Sequence, residues 1–204
     1  MNAGWRQRFI ERTASKPSGE WAVRRYNEPV AHYRSFRTIL EMLNLKQEDE
    51  YFEMGCGGGV LLRQALEQVS FAAGIDHSRD MVELSRKNNA DAIASGRAEI
   101  LEGNVAALPW PDNRFSAGAS ANMFFFVPEP QKALSEACRV LRPGGRFALI
   151  TLGDSLTGKV IFGWLYKLRL YSDARMEKML KEAGFSRVEV HTRRFFYQIC
   201  HAVK

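Results

Sequence analysis

Apolar and polar residues follow two different periods along this chain, one typical of strands and one typical of helices. Short runs of apolar or small residues predict strands at 51–54, 70–76, 98–101, 115–121, 146–152, 187–192 and 195–202. Between them, apolar residues spaced three or four apart predict amphipathic helices over about 30–44, 60–69, 78–94, 130–141 and 176–183. The pattern therefore predicts seven strands, with helices between most of them.

The order of these elements predicts an α/β fold. Strands that alternate with helices form a mostly parallel, doubly wound sheet, and the last two strands, which follow each other directly, favour a terminal antiparallel hairpin on that sheet. Ligands of such sheets bind beyond the carboxyl ends of the strands, at the point where the winding reverses. The loop after the first strand is therefore the expected position of a ligand site.

The 204 residues are enough for one domain of ordinary size. A short hinge at 16–19 separates an N-terminal segment from the rest, and we interpret residues 1–45 as a helical arm or cap. Residues 46–204 then form the ligand-binding domain. Within it, segment 153–172 contains an apolar run at 160–166 that makes it a candidate lid insertion.

Composition narrows the class of protein. With 46% hydrophobic and 25% charged residues the chain is typical of a globular protein. Its N-terminus lacks the apolar core of a signal peptide, and no apolar run approaches the ~18 residues of a membrane span. Cys56, Cys138 and Cys200 are odd in number and form no CxxC pair, which favours a reducing, cytoplasmic location and predicts no metal site.

Charge leaves one partner class open. The net charge is +6, and acidic residues predominate in the middle of the chain while basic residues predominate at both ends. Basic segments are compatible with nucleic acid. Charge alone is a less specific signal than the motifs, and nothing in the sequence fixes an oligomeric state.

The sharpest motif is the glycine-rich segment 53–59, which reads EMGCGGG and follows the first predicted strand. Glycines allow a tight turn and a close approach to a ligand, and the next helix begins with free N–H groups. Asp76 ends the second strand, where a carboxylate is placed to accept hydrogen bonds from a ribose diol. Asn104 follows the third strand, where its amide is placed to bind an adenine edge. Each of the three also has a simpler structural interpretation. The glycine-rich segment is then a turn without a ligand, Asp76 caps the next helix, and Asn104 is a turn residue.

A nicotinamide-dependent dehydrogenase is the first alternative. Its G-x-G-x-x-G loop requires a glycine at position 60, which is Val60 here. The chain is also too short for a second substrate domain of normal size. Both observations argue against that class.

Taken in order, the E-x-G-x-G-x-G loop, Asp76, the segment 103–105 (GNV) and the segment 139–145 (RVLRPGG) resemble the motifs of class I S-adenosylmethionine-dependent methyltransferases. The similarity is to the small single-domain type called UbiE-like or type 11, and it covers roughly residues 20–204. It implies a Rossmann-like fold, S-adenosyl-L-methionine as cofactor and methyl transfer as activity.

The resemblance also implies which residues bind the cofactor. In order along the chain these are Glu53, Gly55, Cys56 and Gly57 at the methionine part, Asp76 at the ribose, His77 and Met81 against the adenine, Asn104 and Val105 at the adenine edge, and the Asn122 backbone at the methionine ammonium. The turn at 141–145 is expected to be structural.

Three positions depart from the family pattern. Asn104 stands where aspartate is more common, and Ser116 stands where an aspartate usually precedes the fourth strand. A histidine often found after that strand is replaced by the segment 125–127 (FFV), so no acid–base role is transferred to that place. We take His32 as the candidate base instead.

The acceptor is expected above the strand ends, between the N-terminal arm, the loop after the fourth strand and segment 153–172. Candidate acceptor-binding residues are Tyr26, Tyr33, Phe124, Phe125 and Trp164. All five are aromatic, and such apolar surroundings favour a small or lipophilic acceptor. The place where amine methyltransferases of nucleic acids carry two prolines reads NMFF here, which disfavours a nucleic-acid acceptor. A nucleic-acid or protein methyltransferase and a non-catalytic cofactor-binding or partner module remain the alternatives.

Overall fold

A seven-stranded sheet runs through the part of the chain that this computed structural model describes, residues 17–154, 168–193 and 197–204. Its strands are β1 Glu50–Met54, β2 Phe71–Asp76, β3 Ala98–Glu102, β4 Phe115–Ala121, β5 Leu141–Leu152, β6 Arg187–Arg193 and β7 Tyr197–Val203. They are ordered β3-β2-β1-β4-β5-β7-β6. Only β7 is antiparallel to its neighbours, β5 and β6. The predicted mostly parallel sheet with an antiparallel C-terminal hairpin is confirmed.

Helices cover both faces of the sheet. They are α1 Gly19–Asn27, α2 Tyr33–Leu43, α3 Val60–Ala65, α4 Arg79–Asn88, α5 Ala90–Ala94, α6 Pro130–Val140 and α7 Asp173–Glu182, with short 3-10 helices at Val30–His32 and Phe124–Phe126. Apolar residues of α2, α3 and α4 pack on one face, and those of α6 and α7 pack on the other. Two buried layers of side chains therefore enclose the sheet, as expected for a doubly wound fold.

The second half of the predicted N-terminal arm belongs to this core. Phe36, Ile39 and Leu43 of α2 are buried in the same cluster as residues of β1, β4 and β5. The three side chains are spaced three and four apart, so they form one apolar face of the helix. A boundary near residue 45 stays a prediction. Residues 155–167, which hold most of the proposed lid, lie outside the described residues.

The position of β7 is a finding that the sequence pattern did not predict. The last strand along the chain, β7, lies between β5 and β6. Its Cys200 is paired with Leu149 of β5 on one side and with Val190 of β6 on the other. Every second residue of β7 is buried, whereas β6 is largely exposed. The polar strand β6 therefore forms the sheet edge, where charged side chains also oppose edge-to-edge association.

Three predicted elements differ most from the structure. The helix predicted over 60–69 ends at Ala65, and the one predicted over 78–94 breaks at Asn89 into α4 and α5. Asn89 is buried, and its side-chain amide donates to the carbonyl of Gly59 at 3.2 Å, so a tertiary hydrogen bond accompanies the break. The strand predicted from 146 begins at Leu141, with a register shift where Pro143–Gly145 lies outside the pairing with β4.

Ser78 occupies the N-cap position of α4 but does not cap it with its side chain. Its hydroxyl donates instead to the carbonyl of Pro17 at 2.5 Å. Asp80 in the first turn accepts from the amide of Gly19 at 2.6 Å. The start of α4 therefore fastens the segment before α1 to the sheet, a use of these residues that local sequence does not show.

Ser116, which departs from the family pattern, has a structural partner. Its hydroxyl donates to Asp49 at 2.6 Å, and Asp49 also accepts from the Lys46 amide and the Arg146 guanidinium. Burial alone would raise the pKa of Asp49, but the hydrogen bonds outweigh it and hold this pKa below its ordinary value. The group joins the starts of β1 and β4 to Arg146 of β5, on the side of the sheet opposite the predicted site.

The described residues contain three buried free thiols, Cys56, Cys138 and Cys200. In this part of the chain, no group of three or more histidine, cysteine, aspartate or glutamate side chains is arranged to hold a metal ion. No helix within the same ranges has both the length and the apolar character needed to cross a membrane.

Arg139 fixes the loop between β3 and β4. Its guanidinium donates to the carbonyls of Leu108 at 3.0 Å and Trp110 at 2.9 Å. The same group pairs with Glu136 and with the exposed carboxylate of Asp112. Since the guanidinium spans four acceptors in a fixed fork, a lysine cannot replace it.

We expect Arg139→Lys to lower the free energy of unfolding by about 1–3 kcal/mol, because loop carbonyls then lose partners in a partly buried place. Urea denaturation followed by circular dichroism measures this. Arg142→Lys is the matched control: Arg142 pairs with Glu50 on the surface, and its change is expected to cost less than about 0.5 kcal/mol. Equal losses for the two variants would contradict the role of Arg139.

Candidate functional site

A cavity of about 560 Å³ opens at the carboxyl ends of β1, β2, β3 and β4. The sheet reverses its winding between β1 and β4, so the cavity lies at the place expected for a ligand. All ten residues predicted to bind a cofactor line it: Glu53, Gly55, Cys56, Gly57, Asp76, His77, Met81, Asn104, Val105 and Asn122. Residues from four separate loops therefore meet in one place.

The glycine loop is bound tightly to the end of β2. The amides of Gly55 and Cys56 both donate to the carbonyl of Ile75, at 2.8 and 3.1 Å. The amide of Gly57 donates to the Asp76 carboxylate at 3.0 Å. Gly55 and Gly57 have φ values of 70° and 50°, in the left-handed region that disfavours other residues. The alternating glycines are thus required by this close crossing of the chain.

The end of α4 holds the same loop from behind. Asn88 donates to the carbonyl of Gly58 at 2.9 Å, and Asn89 donates to that of Gly59. A Cβ at Gly59 would overlap the Ser85 hydroxyl. These two asparagines satisfy loop carbonyls that would otherwise lose their hydrogen bonds on burial. They have no family motif to mark them, and the sequence interpretation missed them.

Asp76 is the polar centre of the cavity wall. Its carboxylate accepts from the amides of Gly57 and Ser78, the latter at 2.9 Å. Burial raises the pKa of Asp76, while the two amide hydrogen bonds oppose that rise. Each carboxylate oxygen keeps a further lone pair, so the group is still able to accept hydrogen bonds from a ligand. His77 beside it is half exposed, and Met81 is fully buried below.

Glu53 is a buried carboxyl group with an unused oxygen. Its Oε2 atom makes no hydrogen bond, although the side chain is almost fully buried and lines the cavity. Burial, and then the negative charge of Asp76, raise the pKa of Glu53 well above its ordinary value. An unpartnered buried polar atom is costly. Glu53 is therefore placed to interact with a ligand that carries positive charge or donates hydrogen bonds.

The loops after β3 and β4 supply the opposite side. The Asn104 side-chain oxygen accepts from the amide of Ala106 at 2.9 Å, which leaves its NH₂ group without a hydrogen bond among the described residues. Asn122 has a φ of 57°, and its amide donates to the carbonyl of Ile150 at 2.8 Å. A Cβ at Gly55 would lie 2.6 Å from Met123 Cγ. The β4 loop therefore packs directly on the glycine loop.

The N-terminal segment forms the roof. Tyr26, Pro29, His32 and Phe36 line the cavity from above. The ring of Tyr26 contacts the glycine loop, where a Cβ at Gly57 would lie 3.2 Å from Tyr26 Cδ1. This part of the predicted arm therefore completes the site.

The structure does not bring every candidate acceptor residue to this cavity. Phe124 is fully buried in the core against Tyr171, and Phe125 packs edge-on against Phe126. Tyr33 is 40% exposed and borders a separate surface groove with residues of α2. A 3-10 turn over Phe124–Phe126 directs Phe126, rather than Phe124 or Phe125, into the lining. Trp164 lies outside the described residues.

Among the described residues, the cavity lining contains carboxyl groups but no ammonium or guanidinium groups. The acidic side chains that line the cavity are Glu53, Asp76 and Glu102, and no lysine or arginine from the described residues lines it. Glu102 ends β3 opposite Asp76 and was not predicted, although its position after a strand was the available signal. Most other lining side chains are apolar: Phe36, Val60, Met81, Val105, Met123, Phe126 and Val127. The cavity therefore suits a ligand with positive charge beside a neutral, apolar one.

Comparison with known proteins agrees with this geometry. Residues 52–149 match the family model described as "Methyltransferase domain". A ubiquinone/menaquinone biosynthesis C-methyltransferase UbiE of Rhodopseudomonas palustris is 30% identical over 182 residues, covering 74% of this chain and 72% of the relative. An uncharacterized 37.1 kDa protein in transposon TN4556 of Streptomyces fradiae is 32% identical over 120 residues, or 57% of this chain. This chain spans only 34% of that relative's length.

Solved structures share the fold at low identity. A Haemonchus contortus phosphoethanolamine N-methyltransferase 2 in complex with S-adenosyl-L-methionine matches with a TM-score of 0.81 at 16% identity. The match covers 98% of this chain and 60% of that one. At this identity the similarity concerns the fold alone.

We expect Gly58→Ala to loosen the roof, because the added Cβ would overlap the main-chain oxygen of Tyr26, which no rotamer change can move. Overpacking of this kind costs about 1–3 kcal/mol. Thermal unfolding measures the loss, and mass-spectrometric mapping of limited trypsin cleavage after Arg24 and Arg25 measures opening of α1. Unchanged cleavage with an unchanged melting temperature would contradict the packing of α1 on the loop.

Proposed function

The chain belongs to the class I S-adenosylmethionine-dependent methyltransferases, with S-adenosyl-L-methionine as cofactor, and we propose that it methylates a small, largely apolar acceptor. The observation that carries the proposal is the lining of the cavity. Carboxylates stand on the glycine-loop and β3 sides, and apolar side chains predominate under the roof. A cationic cofactor and a neutral acceptor fit these two halves.

The residues fit the cofactor by their chemistry. When bound, S-adenosylmethionine supplies an activated methyl group on a cationic sulfur and also carries an ammonium group. The buried, unpartnered Oε2 of Glu53 is an oxygen acceptor inside the cavity, which favours such a ligand. The absence of lysine and arginine from the described lining removes the main source of repulsion.

We assign the binding roles from this placement. Asp76 would accept from the ribose hydroxyls with its remaining lone pairs, and His77 and Met81 would flank the adenine. Asn104 would donate its unpartnered NH₂ to a ring nitrogen of adenine, where an aspartate could only accept, and the Val105 segment would complete that edge. The methionine part would bind along residues 53–57, with its ammonium at the carbonyl of Asn122.

Methyl transfer needs chiefly position and exclusion of water. An aligned displacement can gain about 7–11 kcal/mol from orientation alone. The roof of Tyr26, His32 and Phe36 would supply the exclusion, since these rings line the cavity on the side of the N-terminal segment. The proposed lid over 153–172 and a cytoplasmic location stay predictions.

A label experiment tests the acceptor class. The protein is incubated with S-adenosylmethionine that carries a tritiated methyl group and with three cell fractions: solvent-extracted metabolites, total RNA and total protein. We expect label in the extracted metabolites.

Asp76→Asn keeps the side-chain volume but loses charge-assisted hydrogen bonds, so cofactor binding is expected to weaken by about 10–100-fold. Asp91→Asn, on the exposed helix α5, is the control.

Label confined to RNA, with binding that falls steeply as salt rises, would overturn the small-molecule proposal and favour a nucleic-acid methyltransferase. Label confined to protein would favour a protein methyltransferase. Cofactor binding without transfer to any fraction would favour a non-catalytic binding module.

Glu53 predicts a pH dependence of cofactor binding. Because its pKa is raised, Glu53 is protonated in the free protein below that pKa, and a bound cation favours the carboxylate. Binding should therefore release a proton, and affinity should increase as pH rises toward the pKa of the free form. Isothermal titration in two buffers of different ionisation enthalpy measures the release. Glu53→Gln should abolish it, and equal release by the variant would contradict the assignment.

A further inference from the structure

His32 stands in the wall between two cavities. One is the main cavity, and the other is a smaller one of about 200 Å³ formed around the turn between α1 and the Val30–His32 helix. Tyr26, Pro29 and His32 line both. The second cavity is bordered further by Arg25, Glu28, Val30 and Ala31, of which Val30 is 70% exposed. A single imidazole therefore borders both the candidate reaction space and a recess open toward solvent.

Aromatic contacts fix the orientation of that imidazole. The His32 ring packs edge-on against Tyr26 and Phe36, with centroid distances of 6.3 and 6.1 Å. Neither of its nitrogens forms a hydrogen bond with another described residue. Packing thus holds the ring in place and leaves its nitrogens available.

We propose that His32 is the base that removes the proton from a hydroxyl group of the acceptor, and that the second cavity returns this proton to solvent. The proposal rests on the proposed function and adds to it a base, an acceptor group and a proton path. A base that borders solvent on its far side can be reset after each turnover without opening the roof.

The step balances. One imidazole nitrogen takes the proton as the acceptor's O–H bond breaks, the acceptor oxygen forms a bond to the methyl carbon, and the carbon–sulfur bond breaks with its electron pair left on sulfur. The imidazolium then gives a proton to water in the second cavity, and the imidazole is neutral again.

The surroundings of His32 favour the neutral base. Burial, and then the positive charge of Arg25, lower the pKa of His32 below its ordinary value. The other titratable groups around the two cavities are Tyr26, Glu28, Glu53, Cys56, Asp76, His77 and Glu102. Since a base must be unprotonated to act, rates should fall only as pH drops through this lowered pKa.

The lining also selects the acceptor group. A carboxylate or phosphate would need a cation, and no lysine or arginine of the described residues lines the main cavity. Phe36, Met123 and Phe126 offer an apolar surface there. A hydroxyl on a neutral apolar body fits this surface and needs a base, because a neutral hydroxyl is a poor nucleophile.

The test compares two probe acceptors that differ in their need for a base. Phenol must lose its proton during the reaction, whereas aniline is neutral at pH 8 and attacks through its lone pair without first losing a proton. S-adenosylhomocysteine formation is measured for the wild type, for His32→Gln, which keeps a planar polar side chain, and for the control His191→Gln on the exposed strand β6.

We expect His32→Gln to slow phenol methylation by about 100-fold or more, the range of general-base effects. Aniline methylation should change less than about 10-fold, and His191→Gln should match the wild type. The acidic limb of the wild-type kcat/KM profile for phenol should be absent in His32→Gln. A merely structural role would slow both probes equally, and that result would overturn the proposal.

Two further outcomes separate this proposal from the proposed function. If the wild type binds S-adenosylhomocysteine but methylates neither probe, the hydroxyl assignment is overturned, while the small-molecule proposal is still judged by the label experiment.

The variant Ala31→Phe tests the proton path, because the larger side chain should fill the second cavity. With S-adenosylhomocysteine bound, this variant should show slower deuterium exchange at the His32 ring carbon, as measured by mass spectrometry. An unchanged exchange rate would overturn the proposal that the second cavity returns the proton to solvent.

Discussion

The close crossing of the glycine loop over the end of β2 is the constraint on which the rest of the site depends. The carbonyl of Ile75 accepts from two consecutive loop amides, and the Asp76 carboxylate accepts a third. This geometry requires positive φ at Gly55 and Gly57 and leaves no room for side chains above them. The same crossing places the first turn of α3, Glu53 and Asp76 around one cavity, so the fold and the site are built by the same hydrogen bonds.

The roof depends on the same few residues from the other side. Ser78 and Asp80, two and four residues after Asp76, form hydrogen bonds with the main chain at Pro17 and Gly19, and the main chain of Tyr26 packs against Gly58. An N-terminal segment with little core of its own is thereby fixed over the cavity. Its position brings Tyr26, His32 and Phe36 into one wall of the cavity.

Polar and apolar groups occupy different parts of the cavity. Carboxyl groups and backbone atoms predominate along the strand ends, while aromatic and aliphatic side chains predominate under the roof. The basic ends of the chain, which suggested nucleic acid as one alternative, supply no lysine or arginine to the described lining. Net charge is a property of the whole surface, whereas recognition depends on the few groups that lose water on binding.

The sequence by itself determined the alternation of strands and helices, because hydrophobic period is a local signal. It also predicted that the glycine loop, Asp76 and Asn104 follow successive strands, while Asn122 was predicted only from the resemblance to a family. The tertiary structure alone decided the insertion of β7 between β5 and β6, the break at Asn89, and the use of Ser78 as an anchor for Pro17. It also decided which aromatic residues face the cavity, directing Phe126 inward and Phe124 into the core. Helix period and residue type cannot distinguish these outcomes, since side-chain direction in a short 3-10 turn and a hydrogen bond between distant segments are fixed only by packing.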